Sequence, residues 1–519
     1  MNLFYKVKLR HLTFILIILL FNNYTSSQEI KKFIIQDNRI EFEFKFLDRN
    51  YWAIKNNNNI IVVNDFETGN ALIWKFKFLD SNLKLYDEDE IIIDRSYRMV
   101  NHFDAIDKVF FLFKKDYSSD KEYKIIILNT VDNSFKEYQI NIPFSLKTNQ
   151  LKNIGENIIL SGKSNQNRSI VILYKTTTNQ LTILSGFYQL DQKVLDIAID
   201  SNQNIFKIIY LSKSPNNESH LINKTYSKQG DEISEIIIKS KNYSIIDGKF
   251  FKISNNKFIV IGTYGKKKSK YTRGLFFSKI EDNKQNFIKY YDYSRVSNFF
   301  YYLKDKKEEK IKKKIDKKRN LNKNIKLNYN LIIDEIIKSD SIFLISGESY
   351  FEEYNERGLY PTLTFYNSYS GNYDRTLDPN FNGYNHTHAI IVGFDINGKI
   401  IWDNSIELND IISIEEKKYV KVNLNNQSKK IFLLYFHKGI IKLKLIHQNK
   451  NLFDKSSIEL SALNKQDIIQ ESEKIMEGFQ HWYENNYFAY GIQKIKNKKD
   501  KDVKLNRRVF YINKIQLLN

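Results

Sequence analysis

Short apolar runs rich in Ile, Val, Phe and Tyr return along this chain at a near-constant interval, and that interval limits the folds open to it more than any other feature. They begin at Ile60, Val109, Ile158, Ile205 and Phe258, spacings of 49, 49, 47 and 53 residues, and recur at Ile342, Ile431 and Tyr487. Runs this short, bounded by Asn, Asp, Gly and Ser, read as strands; a helix would space its apolar residues by 3 and 4. A second apolar segment follows each turn, as at Ala71 to Phe76, Ile125 to Leu128, Ser169 to Tyr174 and Gly274 to Ile280. A unit of about fifty residues holding strand, turn and strand, with room for two more strands, has the size of a four-stranded propeller blade. The sequence therefore predicts an all-β chain, a β-propeller of about seven or eight four-stranded blades, with a basic helical insertion and a long aromatic loop.

The two insertions explain why the later starts, Phe258, Ile342 and Ile431, lie 84 and 89 residues apart. The first, 303–326, holds twelve basic residues against Asp305, Glu308, Glu309 and Asp316, a net +8. Its composition is helical, with Ile311 and Ile315 one turn apart on a narrow apolar stripe, and it reads as a solvated arm between blades. The second, 350–384, carries two of the four prolines and many aromatics, and reads as a long ordered loop.

Residues 1–27 have the pattern of a secretory signal: Lys6, Lys8 and Arg10, then the apolar Leu12 to Phe21, then Thr25, Ser26 and Ser27 before Gln28. The ten apolar residues fall short of the ~20 that a spanning helix needs. The expected product is an exported propeller, residues 28–519, in the periplasm or at the cell surface. The chain has no cysteine, which excludes disulfides, thiolate metal sites and a lipoprotein anchor.

The net charge of +21 becomes +18 once the three basic residues of the leader are removed. It favours weak electrostatic contact with anionic surfaces. Abundant Lys, Asn, Ile, Tyr and Phe with only 18 Gly and 4 Pro is also what an AT-rich genome produces whatever the function. Export argues against nucleic acid as a partner, and the chain reads as a monomer.

Between Gly347 and Leu408 the chain reads GESYFEEYNE, then a variable loop, then FNGYNHTHAIIVGFDINGKIIWDNSIEL. Through Glu348, Tyr350, His388, Phe394, Trp402 and Asn404 the stretch 250–410 resembles an uncharacterised family of exported Bacteroidetes proteins. That resemblance implies a propeller and carries no known activity. Asp395 to Gly398 reads as a tight hairpin turn between Ala389 to Phe394 and Lys399 to Trp402. Ile400 and Trp402, two apart, are expected on one face, with Trp402 packed between blades and Asp403-Asn404 turning the chain out of the sheet.

His386 and His388, also two apart, are expected to share a face, as ligands of zinc or copper do, yet Asp395 has the wrong parity to join them, so no metal is assigned. Glu348, Glu352 and Asp374 around the loop supply carboxylates, and Tyr350, Phe351, Tyr354 and Tyr373 supply stacking faces. The expected binding set is Glu348, Tyr350, Glu352, Tyr354, Tyr373, Asp374, His386 and His388. No nucleophile elbow, zinc helix, phosphate loop or calcium loop is present, and no cofactor is implied. The reading is a binding or scaffolding propeller of the cell envelope that holds a protein or glycan through loops of one face. The alternative is a propeller enzyme acting on polysaccharide, with Glu348 or Glu352 and a loop Asp as acid and base.

Overall fold

All eight apolar runs become the second strand of a four-stranded antiparallel sheet. A computed structural model describes residues 33–69, 71–115, 121–187, 192–254, 256–321, 323, 327–354, 380–497 and 504–518; the expected signal lies outside them. Among the described residues the architecture is a β-propeller of eight blades, and no helix is long and apolar enough to cross a membrane.

Blades 2 to 6 form one compact unit within 93–418. Their strands are Tyr97–Asp104, Lys108–Lys115, Glu122–Asn129 and Phe135–Asn141 in blade 2, and Leu146–Ile154, Asn157–Ser164, Ser169–Lys175 and Gln180–Ile183 in blade 3. Blade 4 holds Gln192–Asp200, Ile205–Lys213, Ser219–Ser227 and Glu232–Ile238, and blade 5 Ser244–Ser254, Lys257–Gly265, Thr272–Glu281 and Lys284–Asp292. In blade 6 the first strand is broken into Asn330–Ile333 and Ile337–Ser339, followed by Ile342–Tyr354, Phe381–Phe394 and Ile400–Ser413.

The second unit, 1–92 with 419–519, holds the other three blades. Blade 1 runs Asp48–Asn56, Asn59–Thr68, Ala71–Leu79 and Leu85–Asp94, and blade 7 Lys421–Leu424, Ile431–His437, Ile440–His447 and Lys450–Glu459. Blade 8 takes Asp467–His481, Asn486–Asn497 and Asn506–Leu517 from one end of the chain and Ile34–Glu43 from the other, with Ile40 opposite Ile512 and Phe42 opposite Phe510.

Apolar side chains gather between neighbouring blades rather than at one centre. Phe110, Leu112 and Ile125 of blade 2 meet Leu151, Leu160 and Ile172 of blade 3. Blades 5 and 6 meet through Ile261, Leu275, Phe277, Ile345, Val392 and Phe394. With so few glycines, asparagine makes many of the corners: Asn133, Asn167, Asn179, Asn204 and Asn217 all have φ between 52 and 59°. Asn tolerates this left-handed conformation better than other side-chain-bearing residues, so its abundance has a structural use here.

In six blades the first strand shifts register by one residue against the second, a bulge followed at once by a polar residue: Asn50, Asn101, Gln150, Asp196, Asp247 or Glu471. Within the five-blade unit two of these tie blades together. Asn101 Nδ2 donates to the carbonyl of Asn149, the bulged residue of blade 3, at 3.5 Å, and Gln150 Nε2 donates to that of Leu195 in blade 4 at 2.8 Å.

The first insertion is the expected helix, Asp305–Asn320, which touches the core through Ile315 with Ile311 packed alongside. The segment that leads into it is deeply built in: Tyr293, Val296, Phe299 and Phe300 sink into the core between blades 5 and 6. The rest of the helix is exposed apart from Glu308 and Lys318, which are half-buried. Asp403 holds the segment that leads into the helix. It does not turn the chain out of the sheet, since its strand continues to Ser413; its carboxylate accepts from the backbone N–H of Ser297 (2.9 Å) and Asn298 (2.6 Å). The Asp395–Gly398 turn is as expected: Gly398 N–H donates to the Asp395 carbonyl at 2.9 Å with φ of 75°.

Candidate functional site

Blade 6 is built on longer strands than its neighbours. Its second, third and fourth strands have 13, 14 and 14 residues, against 4 to 10 for the equivalent strands of blades 2 to 5. The excess projects as a three-stranded ribbon. Strand polarity fixes which way: the second strand ends, and the third begins, at the end of the blade where the first strand starts. The insertion holding the basic helix joins the last strand of blade 5 to the first of blade 6, so it leaves at that same end.

A chain of three buried polar side chains crosses the ribbon. His386 Nδ1 lies 2.5 Å from Glu348 Oε1, and its Nε2 lies 2.9 Å from Ser413 Oγ. Each comes from a different strand, and Glu348 and His386 are only 2% and 1% exposed. Ser413 Oγ also lies 2.7 Å from the Glu415 carbonyl, which can only accept. The single hydroxyl proton therefore goes to Glu415, and Ser413 accepts from His386 Nε2–H. A nucleophilic serine needs the opposite polarity, with the hydroxyl donating to the imidazole. The arrangement is a clamp that joins the three strands.

His386 and His388 do not share a face. A bulge at Thr387 lets Tyr350 pair with His386 and Ser349 with His388, and Ser349 and Tyr350 point to opposite sides. His388 turns into the core, fully buried, stacked on Tyr302 at 4.2 Å and edge-on to Phe299 at 4.7 Å. Thr387 Oγ1 donates to the Ser349 carbonyl at 3.2 Å, so it accepts from His388 Nδ1 at 2.9 Å, and Nε2 has no hydrogen-bond partner among the described residues. Burial pushes this imidazole down to about 3. An unfolded histidine takes its proton near pH 6.5, whereas the folded one stays neutral until about pH 3. The stability is complete above pH 6.5 and is lost as pH falls. At pH 5 the loss from this residue is expected to be about 2 kcal/mol, read as a lower urea midpoint than at pH 7, and substitution by Phe should reduce that difference.

Tyr350 is buried against Tyr384 (5.3 Å) and hydrogen-bonds Glu416; burial raises its phenol. Glu352 is at the surface, held by Lys270 Nζ at 2.8 and 2.9 Å and by the Tyr354 hydroxyl at 2.9 Å, and the Lys270 hydrogen bond keeps its carboxyl below the usual range. Phe351 and Tyr354 are 47% and 48% exposed. Tyr373 and Asp374 lie outside the described residues. Of the expected binding set, then, Glu352 and Tyr354 are presented to solvent together, while Glu348, Tyr350, His386 and His388 build the support beneath them. Lys270 and Ser413 were not singled out from sequence, whereas Phe351 was expected among the stacking faces around the loop and is exposed here. Among the described residues no group of His, Asp and Glu is placed to hold a metal.

No family model and no curated protein matches this sequence. Solved structures do. The β-propeller domain of the Trilobed protease from Pyrococcus furiosus matches with a TM-score of 0.35 at 10% identity, over 82% of this chain and 96% of that one. Polysaccharide lyase Uly1 matches with a TM-score of 0.36 at 10% identity, over 81% and 90%. Saccharomyces cerevisiae Sqt1 gives 0.39 at 7%, over 81% and 95%. At these values none carries an argument about activity.

Proposed function

We propose that this protein is an exported binding or scaffolding propeller of the bacterial cell envelope, which holds a protein or glycan at the end of blades 5 and 6 where both insertions emerge. The observation that carries the reading is the ribbon of blade 6. Its strands overrun the blade, a buried clamp locks them together, and half-exposed aromatic side chains stand on top. Binding sites are effective when a rigid support holds a few large aromatic contacts in place, because little side-chain entropy is lost on association. Tyr354, hydrogen-bonded to Glu352 beside Lys270, and Phe351, on the opposite face of the same strand, have that form. The leader-like start of the chain supports export, as does the resemblance of 250–410 to exported proteins.

The polysaccharide-enzyme reading is weaker. Glu348 is committed to His386 and Glu352 to Lys270, so neither is a carboxyl free to serve as acid or base. The test is a paired variant, Phe351→Ser with Tyr354→Ser, offered to a glycan array and to envelope proteins of the producing cell. Truncating two interface aromatics should weaken binding at least tenfold, on the scale of ~2 kcal/mol per hot-spot residue, with an unchanged melting midpoint. Undiminished binding by the folded variant would remove the ribbon from the contact.

A further inference from the structure

At the end of the blades where the ribbon emerges, the five-blade unit repeats a basic position from one blade to the next. Just ahead of the bulge, Arg98 stands opposite Lys114 in blade 2, and Lys147 opposite Lys163 in blade 3. Lys193 is the second residue of the first strand of blade 4, beside blade 3, whose Ser169 hydroxyl donates to the Gln192 carbonyl at 2.9 Å. Like charges directly opposite one another across a ladder repel. Lys163 shows the strain: it is half-buried, and burial, then Lys193 and Lys147, hold its ammonium below the usual lysine range. Neither Lys163 nor Lys193 has an ion pair among the described residues.

The polar stitching of the inner strands also stops here. Blades 2 and 3 place an amide after the bulge, which reaches the next blade. Blades 4 and 5 place Asp196 and Asp247 there, and a carboxylate cannot donate to a carbonyl. Asp196 and Asp247 each accept the following N–H, at 2.9 and 2.7 Å, and face lysines: Lys249 Nζ lies 2.9 Å from Glu335 and 3.9 Å from Asp196. Lys193 and Lys249 both act on Asp247, whose carboxyl burial raises. The basic rim thus opens onto a polar wall in place of a sealed seam.

We infer that this rim, with Lys163 and Lys193 as its principal contacts, binds a linear anionic polysaccharide bearing carboxylate or sulfate groups. A charge repeated from blade to blade suits a chain whose charge also repeats. The recessed position of Lys163 suits a strand that can enter and disfavours a flat membrane. Single-stranded nucleic acid is usually held by aromatic platforms between the cations, and the five rim positions are all Arg or Lys. The inference does not depend on the ribbon, which lies in another blade.

Polygalacturonate and neutral dextran are the probes, titrated calorimetrically into the full chain at about 0.05 M and about 0.5 M salt, where screening differs several-fold. Polygalacturonate should bind at low salt and weaken steeply at high salt, and dextran should not compete. Lys163→Glu with Lys193→Glu should cost at least tenfold in affinity. Lys310→Glu with Lys314→Glu, on the exposed basic helix, should leave it unchanged. Lys163→Gln should keep or raise the melting midpoint, which a lysine present for structure would not do. The inference is overturned if the rim variant binds like the parent, if the helix variant abolishes binding, if dextran binds equally, or if single-stranded DNA binds more tightly through the same lysines.

Discussion

His386→Ala is expected to be among the most damaging single substitutions in the molecule, and its harm should come from what it leaves behind. Removing the imidazole strands the Glu348 carboxyl in the interior, 2% exposed, with the ring beside it gone. Breaking a buried pair from one side typically costs ~3–5 kcal/mol, a large part of the ~5–15 kcal/mol that holds a domain together. Replacing both members at once, Glu348→Leu with His386→Phe, should recover most of that loss, because a well-packed apolar pair needs no partner for a buried charge. Ser413→Ala removes two hydrogen bonds, the one accepted from His386 Nε2–H and the one donated to the Glu415 carbonyl, and should cost about 2 kcal/mol. Urea unfolding of the four proteins gives the order directly. If Ser413→Ala instead keeps full stability and abolishes hydrolysis of an ester or glycan substrate, the clamp is an active site and the proton assignment at Ser413 is reversed.

The repeat was legible because a blade needs one strand buried on both faces, and such a strand is a continuous apolar run whatever its neighbours do. That strand is the second of each blade here, and the sequence shows all eight, from Ile60 to Tyr487. The first strand was harder to see. It carries the bulges, and its polar residue sits at Asn101, Gln150, Asp196 and Asp247, at the same fifty-residue period but without an apolar run to mark it. Bulges also account for both errors of parity. Period-2 reasoning placed His386 with His388 and Ile400 with Trp402, and each pair straddles an extra residue, Thr387 or Ile401, that turns one side chain to the other face. Nothing in HTH or IIW marks the bulge, because it is set by how the partner strand pairs. The Glu348, His386 and Ser413 clamp was out of reach for another reason: its members come from three strands, and only the register that brings those strands together makes them neighbours.

Trp402 provides the second large effect. It is 7% exposed, as expected, but its packing follows from the bulge at Ile401, which puts it opposite Gly393 and on the face away from Ile400. A Cβ built on Gly393 would meet the indole at 2.9 Å, so the ring lies directly on the glycine backbone and covers a strand position that has no side chain of its own. Truncation to Ala should therefore open a cavity over bare backbone and cost ~3–5 kcal/mol. Trp402→Phe should cost much less, because among the described residues the buried indole N–H has no hydrogen-bond partner to lose. Gly393→Ala should cost ~1–3 kcal/mol in the parent by overpacking. In the Trp402→Ala background the same methyl enters vacated space and should be close to neutral. The double-mutant cycle is thus expected to show a coupling of ~1–3 kcal/mol, the range for side chains in direct contact. Additive costs would mean that the two residues do not form one packing unit, and a Trp402→Ala protein that melts like its parent while losing its partner would make the indole a ligand contact instead.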